Sequence, residues 1–165
     1  MVIIVFGLPG SGKSYFASRL AAKLNALYVN SDELRLQLIP ERAYTDAEKL
    51  LVYDAMLGAM ADAIGKHEAI VLDATFYKEA IRNRFDLKAA SLREPILYIE
   101  VTAPENIIAG RLAKPRNFSE ADFAVYQKLK LAFEPLQQKH LVVVSSDNDI
   151  EPSIEQAIEY INMST

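Results

Sequence analysis

Gly7-Leu8-Pro9-Gly10-Ser11-Gly12-Lys13-Ser14 is the stretch on which the reading of the fold turns. Its spacing, a glycine, four residues, then Gly-Lys-Ser, is that of a phosphate-binding loop. Glycines at positions 7, 10 and 12 admit backbone conformations closed to other residues, so that successive N–H groups can wrap a polyphosphate. In such a loop Lys13 carries its ammonium to the β- and γ-phosphates, and Ser14 offers its hydroxyl to Mg²⁺. ATP and Mg²⁺ are therefore the implied cofactors, with Gly7, Leu8, Pro9, Gly10, Ser11, Gly12, Lys13 and Ser14 as the cradle and Ser14 as the metal-side residue. A glycine-rich turn that matches by chance is the rival reading, and the flanks oppose it. Met1 to Phe6 is an unbroken, β-branched apolar run suited to a strand buried on both faces. Tyr15 to Leu24 then places Phe16, Leu20 and Leu24 at helical spacing. Strand, loop and helix follow in the order that aims a helix N-terminus at phosphate.

The rest of the chain repeats this alternation. Strands are predicted at 26–30, 69–72, 95–101 and 141–144. Helices are predicted from Ser31, over 45–65 with Leu50, Tyr53, Leu57, Met60 and Ile64 on one face, over 78–92, from Thr102 through Leu112, from Ser119 to Pro135, and over 150–161. Met56 and Met60 read as core packing. Ser31 and Asp32 supply capping chemistry, Thr45 and Glu48 have capping-box spacing, as do Thr102 and Glu105, and Phe118 with Phe123 has the spacing of a hydrophobic staple. The expected architecture is a single α/β domain over residues 1–165. It is a three-layer α/β/α fold of the P-loop NTPase type, nucleoside-kinase-like, with a five-stranded, mostly parallel sheet and a short lid near 111–119. Its ligand belongs at the carboxyl ends of the strands.

Bulk properties narrow the chemistry. The 165 residues contain no cysteine and two histidines, which removes thiolate sites and disfavours a histidine metal centre; His67 and His140 are read as structural. A net charge of −4 offers no general attraction to nucleic acid or anionic membrane, so extended nucleic-acid binding is not expected. No apolar run reaches membrane-spanning length, and a cytoplasmic location is the default expectation. The composition leaves the oligomeric state between monomer and weak dimer.

Phosphoryl transfer needs a phosphate cradle, a metal ion, a base for the acceptor and cations to absorb charge on the transferred group. Asp32, just past the second strand, is the candidate base, with a plain helix cap as its rival. Arg35, three residues on, is placed to bind the acceptor. Asp73 ends the third strand, where an acidic residue can order metal-bound water; with Thr75 and Arg82 it completes the expected substrate side. A turn or capping role competes for Asp73 and Thr75, and a solvated helix face for Lys78, Arg82 and Arg84. Arg111 and Arg116 flank the irregular Lys114-Pro115 segment and are candidate lid cations over the γ-phosphate, grouped with Lys13 and Asp32 as catalytic.

These residues together resemble small P-loop kinases of the polynucleotide 5′-hydroxyl kinase and zeta-toxin type, over nearly the whole chain. Asn30-Ser31-Asp32-Glu33-Leu34-Arg35 is similar to the segment in which an Asp is general base and an Arg binds the acceptor phosphate. Asp73-Ala74-Thr75 resembles their Asp-x-Thr, Arg82-Asn83-Arg84 the basic pair that follows, and Arg111 and Arg116 the lid arginines. The implied activity is transfer of the ATP γ-phosphate to a hydroxyl of a nucleic-acid 5′ end, a nucleoside or nucleotide, or a small metabolite. The contrasting expectation is a nucleotide-dependent switch or ATPase whose only acceptor is water.

Overall fold

The computed structural model describes residues 1–115 and 121–164. Five strands form one parallel sheet: β1 (Val2–Phe6), β2 (Leu27–Asn30), β3 (Ile70–Ala74), β4 (Ile96–Thr102) and β5 (Leu141–Val144), in the order β2-β3-β1-β4-β5. The helices are α1 (Lys13–Leu24), α2 (Ser31–Leu38), α3 (Asp46–Gly65), α4 (Glu79–Ser91), α5 (Glu105–Leu112), α6 (Phe123–Ala132) and α7 (Glu151–Asn162). The expected strand and helix alternation is thus observed, and every strand pair is parallel.

Every residue of β1 is buried, because β1 is the central strand and both of its faces are covered. On one side Val2, Ile4 and Phe6 pack with Val52, Met56 and Met60 of α3 and Phe85 of α4. On the other, Ile3 and Val5 pack with Phe16 and Leu20 of α1 and Ile154 and Ile161 of α7. The period-two split of an all-apolar strand between two cores is what a doubly covered sheet requires.

Several local expectations shift. The buried stripe of α3 runs through Val52, Tyr53, Met56, Met60 and Ala63, while Leu50 is half exposed. Tyr53 and Met60 were on the predicted face, and Met56 is core as expected, but the true stripe is centred on the side that meets β1 and β3. The Thr45–Glu48 capping box forms in full. Helix α5 instead starts on Pro104, with no side-chain cap from Thr102. Helix α6 is capped by Asp122, whose carboxylate accepts from the Val125 amide at 2.9 Å, and it ends three residues before Pro135. The expectations for Arg116, Phe118 and Ser119 lie outside the described residues. His140 is structural as read, its ring between the Gln138 carbonyl, Glu100 and Phe6.

The register sets the site. Phe6 pairs with Ala74 and Glu100, and Asn30 with Asp73, so the loop after β1, the start of α2 and the end of β3 emerge side by side at the carboxyl edge. Among the described residues no helix is long and apolar enough to cross a membrane. Ile4→Ala, which removes a fully buried side chain at the middle of β1, is expected to cost about 3 kcal/mol in a urea titration, within the range for large-to-small core changes.

Candidate functional site

The loop holds its shape because no side chain fits where its glycines sit. A Cβ on Gly7 would lie 2.3 Å from the Val101 carbonyl oxygen of β4, and Gly10 and Gly12 have φ of 78° and 90°. Gly12 caps α1 without a side-chain hydrogen bond, so the first turn of the helix presents its amides toward the loop. Ser11 Oγ is buried with no partner among the described residues. Uncapped amides and an unpartnered hydroxyl inside a tight cradle fit a polyphosphate.

Beside the loop, the end of β2 and the end of β3 form a polar network. Asp73 is fully buried; its Oδ2 accepts from the Tyr28 hydroxyl at 2.8 Å and from Asn30 Nδ2 at 2.5 Å. Asn30 Nδ2 also reaches Ser14 Oγ at 3.3 Å, while Asn30 Oδ1 accepts from the amides of Asp32 and Glu33 and so caps α2. Burial, and then the Asp73 charge, push the Tyr28 phenol upward, which keeps it the donor. Asp73 Oδ1 is buried with no partner among the described residues. That orphaned oxygen near Ser14 fits a magnesium ion with its water shell, a cation held by few protein ligands together with phosphates. No group of three or more His, Asp or Glu is placed to hold a metal among the described residues.

The capping of α2 by Asn30 corrects the expectation that Ser31 and Asp32 serve as caps. It leaves the Asp32 carboxylate free to face a cavity of about 250 Å³, which is also lined by Pro9, Lys13, Arg35 and Thr75. Arg35 Nη1 lies 3.6 Å from Asp32 Oδ1. Five residues singled out in the sequence thus meet at one cavity. Thr75 is within 3.4 Å of the Tyr53 hydroxyl, which accepts from the Phe76 amide.

Two arginines are placed otherwise. Arg82, expected on the substrate side, is 2 % exposed and does not line the cavity. Its guanidinium donates to the carbonyls of Phe76 and Glu134, both at 2.7 Å. It ties the segment after α6 to the turn after β3, a tie reinforced by Glu134, which accepts from the Glu79 amide and from Lys78. The amide first, then Lys78, hold the Glu134 carboxyl below its ordinary value. Arg84 pairs with Asp54 across α3. Arg111 sits against the loop: Nη1 donates to the Gly10 carbonyl at 3.1 Å and to Ser145 Oγ at 2.9 Å, and Nη2 pairs with Asp147 at 3.1 Å. Ser145 in turn donates to the Ser11 carbonyl. Arg116 lies outside the described residues.

Sequence reading missed Asn30, Ser145, Tyr44, Lys49, Tyr77 and Lys128. The rule that selected Asp73, a polar residue closing an apolar strand, also describes Asn30 and Ser145. Lys49, Tyr77 and Lys128 carry no local signal, because the cavity they share is assembled from α3, the turn after β3 and α6.

The chain belongs to the family described as AAA domain, whose pattern matches residues 2–136, and its parallel five-stranded fold is shared with solved structures of kinases. It is 30% identical over 116 residues to the human protein KTI12 homolog, covering 67% of this chain and 33% of that protein; the chain therefore spans about a third of that relative's length. It is 23% identical over 172 residues to a probable gluconokinase of Schizosaccharomyces pombe, covering 98% of this chain and 88% of the other. Among solved structures, the Mycobacterium tuberculosis APS kinase CysC in complex with AMPPNP and APS superposes with a TM-score of 0.73 at 17% identity, covering 98% and 97% of the two chains.

The two carbonyls held by the buried Arg82 guanidinium yield a stability prediction. Arg82→Ala removes two charge-assisted bonds of roughly 1.5–3 kcal/mol each, so the urea-unfolding free energy is expected to fall by about 3 kcal/mol or more. An arginine that served only to bind an acceptor would leave the urea midpoint in place.

Proposed function

We propose that this chain is an ATP-dependent phosphotransferase that moves the γ-phosphate to an acceptor hydroxyl. The observation that carries the reading is that Lys13 of the phosphate loop and Asp32 of α2 line one cavity, so donor and acceptor ends meet where a carboxylate is available. The similarity to a probable gluconokinase and the fold shared with an APS kinase bound to AMPPNP support it.

In this mechanism the loop amides and Lys13 grip the β- and γ-phosphates. The acceptor hydroxyl, oriented by Asp32 and Arg35, attacks the γ-phosphorus. A new P–O bond forms in line as the bond from that phosphorus to the β-phosphate oxygen breaks, ADP leaves, and the hydroxyl proton passes to the Asp32 carboxylate. Ser14 would hold Mg²⁺, with Asp73 oriented toward its water shell; when bound, the ion neutralises charge on the phosphate oxygens. Arg111 keeps the loop in its closed shape through Gly10 and Ser145, and Arg116 is assigned the lid contact to phosphate. Thr75 lines the same cavity as Asp32. The Asn30 to Arg35 segment favours the polynucleotide-kinase and zeta-toxin branch of P-loop kinases. Its acceptors are a nucleic-acid 5′ end, a nucleoside or nucleotide, or a small metabolite, met in the cytoplasm.

The test is a radiolabelled ATP assay over a panel of hydroxyl acceptors. Lys13→Ala is expected to abolish product, and Asp32→Asn to lower kcat by about 10²- to 10⁴-fold, the usual contribution of a general base. ATP hydrolysis that needs no acceptor and persists in Asp32→Ala would instead establish a switch or ATPase.

A further inference from the structure

Asn30, the buried residue that joins β2 to α2, has more hydrogen-bond partners than hydrogens. Its amide nitrogen carries two N–H groups, yet three acceptors lie within reach: Asp73 Oδ2 at 2.5 Å, the Tyr28 hydroxyl at 3.1 Å and Ser14 Oγ at 3.3 Å. Tyr28 itself donates to Asp73 Oδ2 at 2.8 Å. Tyrosine, asparagine and aspartate thus form a closed triangle, and the link to Ser14 is the longest of the three made by the amide. On the other side of the same group, Asn30 Oδ1 accepts from the Asp32 and Glu33 amides at 2.9 and 3.0 Å. A carboxamide is planar, so its nitrogen and oxygen turn together about one bond. Whatever settles the nitrogen among its acceptors also settles the cap of the helix that carries Asp32.

Resting on the kinase reading above, we propose that Asn30 is a positioning residue that couples the phosphate loop to the acceptor carboxylate, so that filling the cation side of the nucleotide site locks the start of α2. While Ser14 Oγ is free, two hydrogens are divided among three acceptors, and the amide has more than one arrangement of similar energy. A hydroxyl that turns to a cation is a poor acceptor, because the ion polarises its oxygen and repels the N–H dipole. One acceptor then remains for each hydrogen, Asp73 and Tyr28, and no donor is orphaned. The carboxamide plane is held in the orientation that keeps Oδ1 on Asp32 and Glu33. The Asp32 carboxylate, which shares the cavity with Lys13, is therefore fixed when the donor is loaded and looser when it is not. Two sites joined by one side chain, with different contacts in each state, meet the condition for coupled binding, and such coupling acts equally in both directions.

Amide hydrogen exchange read by NMR tests the coupling with no acceptor present, after calorimetry has established that Mg²⁺·ADP binds. In the unmodified protein this ligand is expected to slow exchange at the Asp32 and Glu33 amides about 10-fold, a coupling of ordinary size. The Glu48 amide, held by the Thr45 hydroxyl at the start of α3, should change far less, and ADP with a chelator should slow Asp32 and Glu33 far less. Asn30→Ser keeps a capping oxygen but has no amide to reach Ser14, and Tyr28→Phe deletes the fallback acceptor. In each variant Mg²⁺·ADP should bind while the Asp32 and Glu33 rates stay unmoved. Equal slowing at Glu48, equal slowing without Mg²⁺, slowing that survives in both variants, or none in the unmodified protein would each overturn the coupling. Slowing that depends on Asn30 and Tyr28, in a protein that passes no phosphate from radiolabelled ATP to any hydroxyl acceptor, would uphold the coupling and overturn the kinase reading, so the two failures are separable.

Discussion

A carboxylate with no solvent exposure stands at the centre of this molecule. Asp73 is the next-to-last residue of β3 at the carboxyl edge of the sheet, and a buried charge of that kind is tolerated only if its oxygens are engaged. One oxygen is engaged twice, by Tyr28 and Asn30, and that requirement organises its surroundings. It holds Asn30 opposite Asp73 in register, Asn30 touches Ser14 of the loop, and the remaining face of the same side chain caps α2. Through one amide side chain, the metal-side end of the loop and the helix bearing Asp32 are fixed relative to each other. The second oxygen of Asp73 has no partner among the described residues.

The loop itself is over-determined. Gly7 is pressed against β4, and Arg111 and Ser145 hold the Gly10 and Ser11 carbonyls. Preorganised amides of this sort stabilise charge without rearranging when it arrives. Arg111 therefore braces the cradle, and the cations that line the cavity beside Lys13 come from α2, α3 and α6. The clasp of Arg82 on the segment after α6 anchors the C-terminal end of the helix that carries Lys128, so the wall of the cavity and the turn bearing Thr75 and Tyr77 are braced by one buried guanidinium.

The fold was readable in the chain because its signals are local. An all-apolar β1, a glycine loop and the alternation of short strands with amphipathic helices each express a period or a backbone requirement within a dozen residues. Errors came where tertiary packing overrides that pattern. The stripe of α3 was drawn through Leu50, whereas contact with β1 and β3 selects Val52, Met56 and Ala63. Ser31 and Asp32 looked like caps, yet the strand register places Asn30 one step earlier with its side chain toward both α2 and Asp73. Arg82 reads as a substrate cation through its likeness to a basic pair, with a solvated helix face as the rival; only the approach of the Phe76 and Glu134 carbonyls shows that it is a buried tie.

By itself, the sequence determined the phosphate loop, the parallel α/β layering and the identities of Lys13, Asp32, Arg35 and Thr75 as neighbours of one site. These depend on glycine stereochemistry, hydrophobic periodicity and the rule that polar residues collect at strand ends. Tertiary structure alone decided which arginines line the cavity and which brace the protein, and it brought Lys49, Tyr77 and Lys128 to that cavity. The physical reason is distance along the chain: residues separated by dozens of positions acquire a common electrostatic role only when packing places them around the same small volume.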